Sequence, residues 1–352
     1  MREHMPDVFL LGAGFSRALS DDMPLLDELS ELIRGELSDS TCDGLSITQH
    51  IVLDDSSAVG FERALSLLAT DQPWLNIEEN LRNRALFVEM TNALTRVLGM
   101  RQNRALAYPP PNWLIDLVRK WHERRCVVIT LNYDTLLEKA YAQAVGDTEH
   151  FHYSTTYPHA IMSTASLRAS ILGGGTSYND TITLLKLHGS INWLYSGSAN
   201  YRGETLFHVP MDGAWTPDLL TGPDSLHDRR LDKTPLIIPP TAGKTGYFGN
   251  EAVDGLWALA SASLKRTERL TIMGYSLPAT DTAVVDLLRT SLHPEARWNR
   301  NLVVDVVDIN EGAADHYRKM IPAVNSQQWM PGTESNPIAD FVSRYASDGQ
   351  DS

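Results

Sequence analysis

Val8-Phe9-Leu10-Leu11-Gly12-Ala13-Gly14-Phe15-Ser16 decides how the rest of the chain is read. A short, unbroken apolar run is what a strand covered on both faces requires. Two glycines one residue apart let the backbone turn tightly behind it, and helix-compatible sequence follows. A strand, a glycine turn and a helix N-terminus in that order suit a pyrophosphate, held by N–H groups and the positive end of the helix dipole. Position 17 is Arg where the dinucleotide fingerprint has its third glycine, and no G-K-[ST] ending makes the turn a P-loop. An ordinary strand-to-helix turn reads the same residues, so the other strand ends must be weighed with it.

Five further runs resemble the first: Val127 to Thr130, Thr183 to Leu187, Leu236 to Ile238, Leu270 to Met273 and Val303 to Val307. With helical patterns between them they predict an α/β fold, a Rossmann-like doubly wound, mainly parallel sheet of about six strands. More than a hundred residues separate the first run from the second, far beyond a normal crossover. That stretch carries amphipathic patterns over Pro24 to Leu37, Phe61 to Ala69 and Ile77 to Leu98, and predicts a helical insert over about 21–118. After Pro109-Pro110-Pro111 a helix is expected from Trp113 to about His122. The sheet draws on 1–20, 120–195 and 235–320 within a domain of 1–330. A polar excursion over about 196–235 and a C-terminal helix and tail over 331–352 complete the layout.

Hydrophobic residues make up 43% of the 352 and charged residues 21%, a globular composition. The net charge of −14 opposes non-specific nucleic-acid binding, which rests on neutralising phosphates. The basic group Arg119, Lys120, Arg124 and Arg125 reads as a solvated helix face or as a local patch. Two cysteines, Cys42 and Cys126, cannot supply the four ligands of a structural zinc, so no metal is expected. Cys126 opens an apolar run and reads as a small buried hydrophobe. No signal peptide and no apolar stretch of about 20 residues is visible, so a cytoplasmic, membrane-free setting is expected.

Two more strand ends carry polar groups, where ligands bind in such sheets. The second run ends in Thr130-Leu131-Asn132-Tyr133-Asp134. An amide and a carboxylate two residues apart can read a carboxamide and a ribose hydroxyl; Asp134 before Thr135 is also a good N-cap. The third run ends in Lys186-Leu187-His188-Gly189. Histidine is suited to proton transfer near neutral pH, and Gly189 permits a tight turn. Trp193 beyond it reads as packing.

Taken together, Gly12-Ala13-Gly14-Phe15-Ser16, Asn132-Tyr133-Asp134 and His188-Gly189 resemble the sirtuin family's G-A-G-x-S, N-x-D and H-G elements, in that order. Gly274-Tyr275-Ser276-Leu277 and Asp308-Ile309-Asn310 resemble its later G-[ST]-S and I-N segments. The paired C-x-x-C zinc ligands of the protein-deacylating members are absent, and the pattern looks closer to the sirtuin-like domains of bacterial antiphage systems. The resemblance implies NAD as substrate, hydrolysed to nicotinamide and ADP-ribose. It implies cofactor contacts at Gly12, Ala13, Gly14, Phe15, Ser16, Thr130, Asn132, Asp134, Gly274, Ser276 and Asn310. The chemistry would fall to His188, Asn132 and Asp134. It also implies a homo-oligomer, in some systems joined by a partner ATPase or an Argonaute-like protein. Protein deacylation or ADP-ribosyl transfer on NAD, and a non-catalytic subunit sensing NAD or ADP-ribose, are the alternative readings.

Overall fold

A computed structural model describes residues 6–38, 58–145, 157, 162–163, 181–195, 206–208, 215, 234–238, 250–297, 302–322, 326–329 and 336–347. In chain order these form β1 (Val8–Leu11), α1 (Ala13–Leu19), α2 (Leu26–Ser38), α3 (Ala58–Ala69), α4 (Ile77–Ala105), α5 (Asn112–Arg124), β2 (Val127–Thr130), α6 (Leu136–Val145), β3 (Met162–Ser163), β4 (Thr183–Lys186) and β5 (Gly189–Tyr195). There follow β6 (Phe207–His208), β7 (Thr234–Ile237), α7 (Glu251–Arg266), β8 (Arg269–Met273), α8 (Thr282–Ser291), β9 (Val303–Val307), α9 (Ala313–Met320), β10 (Ser326–Trp329) and α10 (Pro337–Ser347).

The main sheet has six strands in the order β10-β9-β8-β1-β2-β4, all pairs parallel. Counting only its own strands along the chain, this is 6-5-4-1-2-3, the Rossmann order. The topological switch point therefore lies between β1 and β8. Val8, Phe9, Leu10 and Leu11 are all buried, as expected of a central strand covered on both faces. Five of the six apolar runs take places in this sheet. Leu236 to Ile238 does not, which corrects the expectation that it is a parallel strand. It lies in and just beyond β7, antiparallel to β5, in a second sheet ordered β3-β6-β5-β7. The sixth place in the main sheet belongs to β10.

The reason for the exchange lies in the packing. Leu236 and Ile238 face the main core while Ile237 faces the core of the helical insert. A strand between two cores loses the apolar-polar alternation that marks an antiparallel strand. The turn that carries the chain out of the main sheet is at Gly189, whose φ is +79°. A Cβ there would stand 2.1 Å from the Leu236 carbonyl oxygen, so the close β5–β7 approach excludes any other residue.

Helices α2, α3 and α4 share a core of their own through Leu29, Ile33, Phe61, Leu65, Leu68, Met90 and Leu94. The long α4 begins in a capping box: Asn76 accepts from the Glu79 amide and Glu79 accepts from the Asn76 amide. Helix α5 packs instead on the main core through Leu114, Leu117, Val118 and Trp121, so the insert's own core ends before it. The polar excursion at 196–235 falls mostly outside the described residues. Helix α10 closes the domain, burying Ile338, Phe341, Val342 and Tyr345 in the main core. Among the described residues no helix is long and apolar enough to cross a membrane. Arg119, Lys120 and Arg124 each face a carboxylate at 3.8 Å, from Asp116, Glu123 and Asp7.

Cys126 is free and fully buried, and burial pushes its thiol up to about 12. A thiolate so rare at neutral pH does not react. Native protein treated with a maleimide is therefore expected to leave Cys126 unlabelled for hours, with labelling appearing only in denaturant; peptide mass spectrometry reads the site directly.

Candidate functional site

The loop after β1 turns on Gly12, which caps α1 with no side-chain bond. Ser16, one turn into that helix, is 4% exposed and points at the loop after β2. Its hydroxyl donates to Asp134 Oδ2 at 2.6 Å. Asn132 Nδ2 donates to Ser16 Oγ and to the Gly12 carbonyl, both at 2.9 Å. Asn132, Ser16 and Asp134 thus form one hydrogen-bonded chain that ties two strand ends together. Thr130 supports it from below, its Oγ1 accepting from the Asn132 amide. Asp134 Oδ1 accepts from the Leu136 amide, so the same carboxylate also caps the start of α6.

Asp134 is buried, and burial holds its carboxyl above the usual range, opposed by the Lys186 charge and the Ser16 hydroxyl. Lys186, on β4, is also buried; its Nζ donates to the Asp134 carbonyl and to Glu138 Oε1, the latter at 2.8 Å. Tyr157 donates to that same Glu138 oxygen. A lysine inside an otherwise apolar strand was the signal for this support, visible in Leu184-Leu185-Lys186-Leu187.

His188 stands at the end of β4, 4% exposed. Its ring packs near Tyr133, with centroids 6.2 Å apart, and near Trp257, at 6.5 Å. Nε2 is 3.4 Å from Asp281 Oδ2. Tyr133 is pinned in turn, its hydroxyl donating to the Ile238 carbonyl and its own carbonyl accepting from Ile191 N and Ser190 Oγ. Tyr133 therefore joins the N-x-D loop to the H-G loop.

The glycine turn meets the loop after β8 at the switch point. The Gly14 amide donates to the Gly274 carbonyl at 2.8 Å and the Gly12 amide to the Met273 carbonyl at 3.1 Å. The glycines thus serve a contact between two backbones. Ala13 is exposed above it. Phe15 turns its ring into the core against Trp113 and Trp121, leaving only its backbone at the loop. Ser276 is exposed on the β8 loop and Asn310 on the β9 loop, where the Asn310 side chain accepts from the Gly312 amide. Trp193 packs edge-on against Tyr157, fully buried. Among the described residues no His, Cys, Asp or Glu group is arranged to hold a metal.

A family model described as a SIR2-like domain matches residues 126–208. No curated protein matches the chain. Among solved structures, Sir2Tm bound to a propionylated peptide is 14% identical, with 99% of this chain and 95% of that chain covered and a TM-score of 0.42. A Sir2–p53 peptide–NAD+ complex gives the same values. A mutant Sir2 homologue in complex with ADP ribose is 12% identical over 98% of this chain and 93% of that one, at a TM-score of 0.45. With all three scores under 0.5, the reading of the site rests on its own geometry and on the matched segment. Residues 126–208 are thus similar to a SIR2-like domain, and that stretch holds both the Asn132–Asp134 and the His188–Gly189 strand ends.

Proposed function

We propose that the protein hydrolyses NAD at the nicotinamide–ribose bond. One observation carries the reading: the hydrogen-bonded chain Asn132–Ser16–Asp134 joins two strand ends beside the switch point of a Rossmann-ordered sheet, with His188 on the next strand end. The crevice outside the carboxyl ends of such strands is where these folds take dinucleotides. The glycine turn and the β8 loop would receive the pyrophosphate, Ser276 and Asn310 the adenosine half, and Asn132 with Asp134 the nicotinamide half.

Nicotinamide leaves as a neutral molecule carrying the electron pair of the broken C–N bond. The ribose carbon is left with oxocarbenium character. Water supplies the new C–O bond and gives its proton to His188 and then to solvent. NAD+ and water thus become nicotinamide, ADP-ribose and a proton. Holding both halves of the substrate across fixed loops favours the strained geometry in which that bond breaks. Deacylation and ADP-ribosyl transfer on the same substrate differ only in the nucleophile that arrives.

The enclosure of His188 means that turnover requires an opening movement, which suits an effector held slow until triggered. The proposal extends to antiphage defence by NAD depletion, in a homo-oligomer with or without an ATPase or Argonaute-like partner. Trp74, Ile77 and Leu81, more than half exposed at the head of α4, offer an apolar surface for such assembly. The same enclosure favours one second reading, a subunit that binds NAD or ADP-ribose without cleaving it.

Purified protein incubated with NAD is expected to release nicotinamide, and Asn132→Ala and His188→Ala to lower the rate by at least about 100-fold with folding intact. Full activity in either variant removes that residue from the chemistry. Binding by calorimetry with no product, partners present, selects the sensor.

A further inference from the structure

Asp281 precedes α8 in the slot where an aspartate ordinarily accepts the amides of the first helical turn. It makes no such bond. A cap of that kind stabilises a helix, so an aspartate that forgoes it is held by something else. Its Oδ2 stands 3.4 Å from His188 Nε2 and accepts the Tyr275 hydroxyl at 3.1 Å. The carboxylate is 1% exposed and the imidazole 4%. A carboxylate buried that deeply is tolerated only with charge or hydrogen-bond partners.

The loop that presents Asp281 is over-determined. Leu277 holds a φ of +53°, an uncommon conformation for a branched side chain. It is kept there from several sides. Tyr317 donates to the Tyr275 carbonyl at 2.8 Å, His316 Nε2 faces the Leu277 carbonyl at 3.0 Å, and the Gly274 amide donates to Val307. The Asp281 amide itself donates to Pro278. Strain that persists because its surroundings enforce it is concentrated at functional positions.

We infer that Asp281, fixed by Tyr275, is a positioning residue for His188: it holds the imidazole proton on Nε2 and so leaves the Nδ1 lone pair as the base. The inference rests on the hydrolase reading for its catalytic meaning, and on geometry alone for the pair itself. Tyr133 and Trp257 pack beside the imidazole, with centroids 6.2 and 6.5 Å away, and the tautomer decides whether Nδ1 carries a lone pair or a proton.

The test combines 15N spectra of histidine-labelled full-length protein, with the His188 signal assigned by loss in His188→Gln, and steady-state nicotinamide release. In the wild type His188 is expected to be an Nε2–H tautomer; in Asp281→Asn that preference is lost. Release by Asp281→Asn is expected to fall about 10- to 100-fold in kcat, with KM within about twofold. Asp281→Glu, which keeps the charge, should recover part of the loss. If Asp281→Asn does not fold, Tyr275→Phe replaces it, with kcat expected to fall about threefold or more at unchanged KM, as for one lost hydrogen bond. An Nδ1–H tautomer in the wild type overturns the pairing whether or not NAD is cleaved. Unchanged kcat in the variant that folds, in an enzyme that His188→Gln inactivates, overturns the positioning role and leaves the hydrolase reading standing. A wild type with no turnover sinks the hydrolase reading instead, and the tautomer then decides the pair alone.

Discussion

Gly274→Ala is expected to lose on the order of 4 kcal/mol of stability or to fail to accumulate as soluble protein. The residue sits at φ +59°, where an L side chain costs about 1–2 kcal/mol in backbone energy. The larger part is steric. A Cβ at 274 would stand 2.4 Å from the Gly14 carbonyl carbon and from the Phe15 amide nitrogen, atoms of backbone that cannot swing aside. Relief requires the β1 and β8 loops to separate, which breaks the Gly14 amide bond to the Gly274 carbonyl. That separation also opens the switch-point crevice, so NAD binding should go with the stability. Gly99→Ala is the natural control, since a Cβ there meets nothing within 4 Å in the middle of α4. It is expected to stabilise the fold by about 0.5–1 kcal/mol. Thermal melts of the two variants beside the wild type make the comparison; a Gly274→Ala melt at the wild-type temperature would show that the loops do not touch as described.

This contact also explains what the glycine turn did and did not reveal on its own. Gly12 and Gly14 read as room for a phosphate, yet their nearest neighbour is the backbone of the β8 loop, two hundred and sixty residues away in sequence. A local motif cannot announce a partner at that distance. The parallel strands were legible because burial on both faces strips them of polar residues. Strand β10 was not, since Ser326-Gln327-Gln328-Trp329 forms an edge of the sheet and carries no apolar run. Of the site, Asn132, Asp134 and His188 stood out as polar residues at the ends of apolar strands. Asp281 did not, because an aspartate before Thr282 reads as an ordinary helix cap, and only its turned-away carboxylate distinguishes it.

Lys186→Met is expected to lose about 3–5 kcal/mol, the usual consequence of removing one member of a buried ion pair. The Lys186 and Glu138 side chains are 1% and 3% exposed, so water cannot replace the missing ammonium. Among the described residues Glu138 then keeps the Tyr157 hydroxyl, and the Asp134 carbonyl loses the Lys186 ammonium. The deficit should depend on pH, with a sign that follows from Asp134. Burial already raises that carboxyl, and Lys186 is the largest influence opposing the rise. Without the lysine it rises further above its unfolded value. For a group raised in the folded state, the stability it contributes is fully present below the unfolded value and is lost as pH climbs through the folded one. The gap between variant and wild type is therefore widest at neutral pH and narrows on acidification. Urea denaturation at pH 7.5 and pH 5 measures it, and a gap below about 1 kcal/mol, or one that does not move with pH, would mean that the Lys186 charge is not holding this loop. Because Asp134 shares its carboxylate with Ser16 and its loop with Asn132, nicotinamide release should fall in the same variant even where it remains folded. Restoring stability with Glu138→Leu on top of Lys186→Met, which removes the stranded charge, should not restore that activity, since the support under the Asn132–Asp134 loop is still missing.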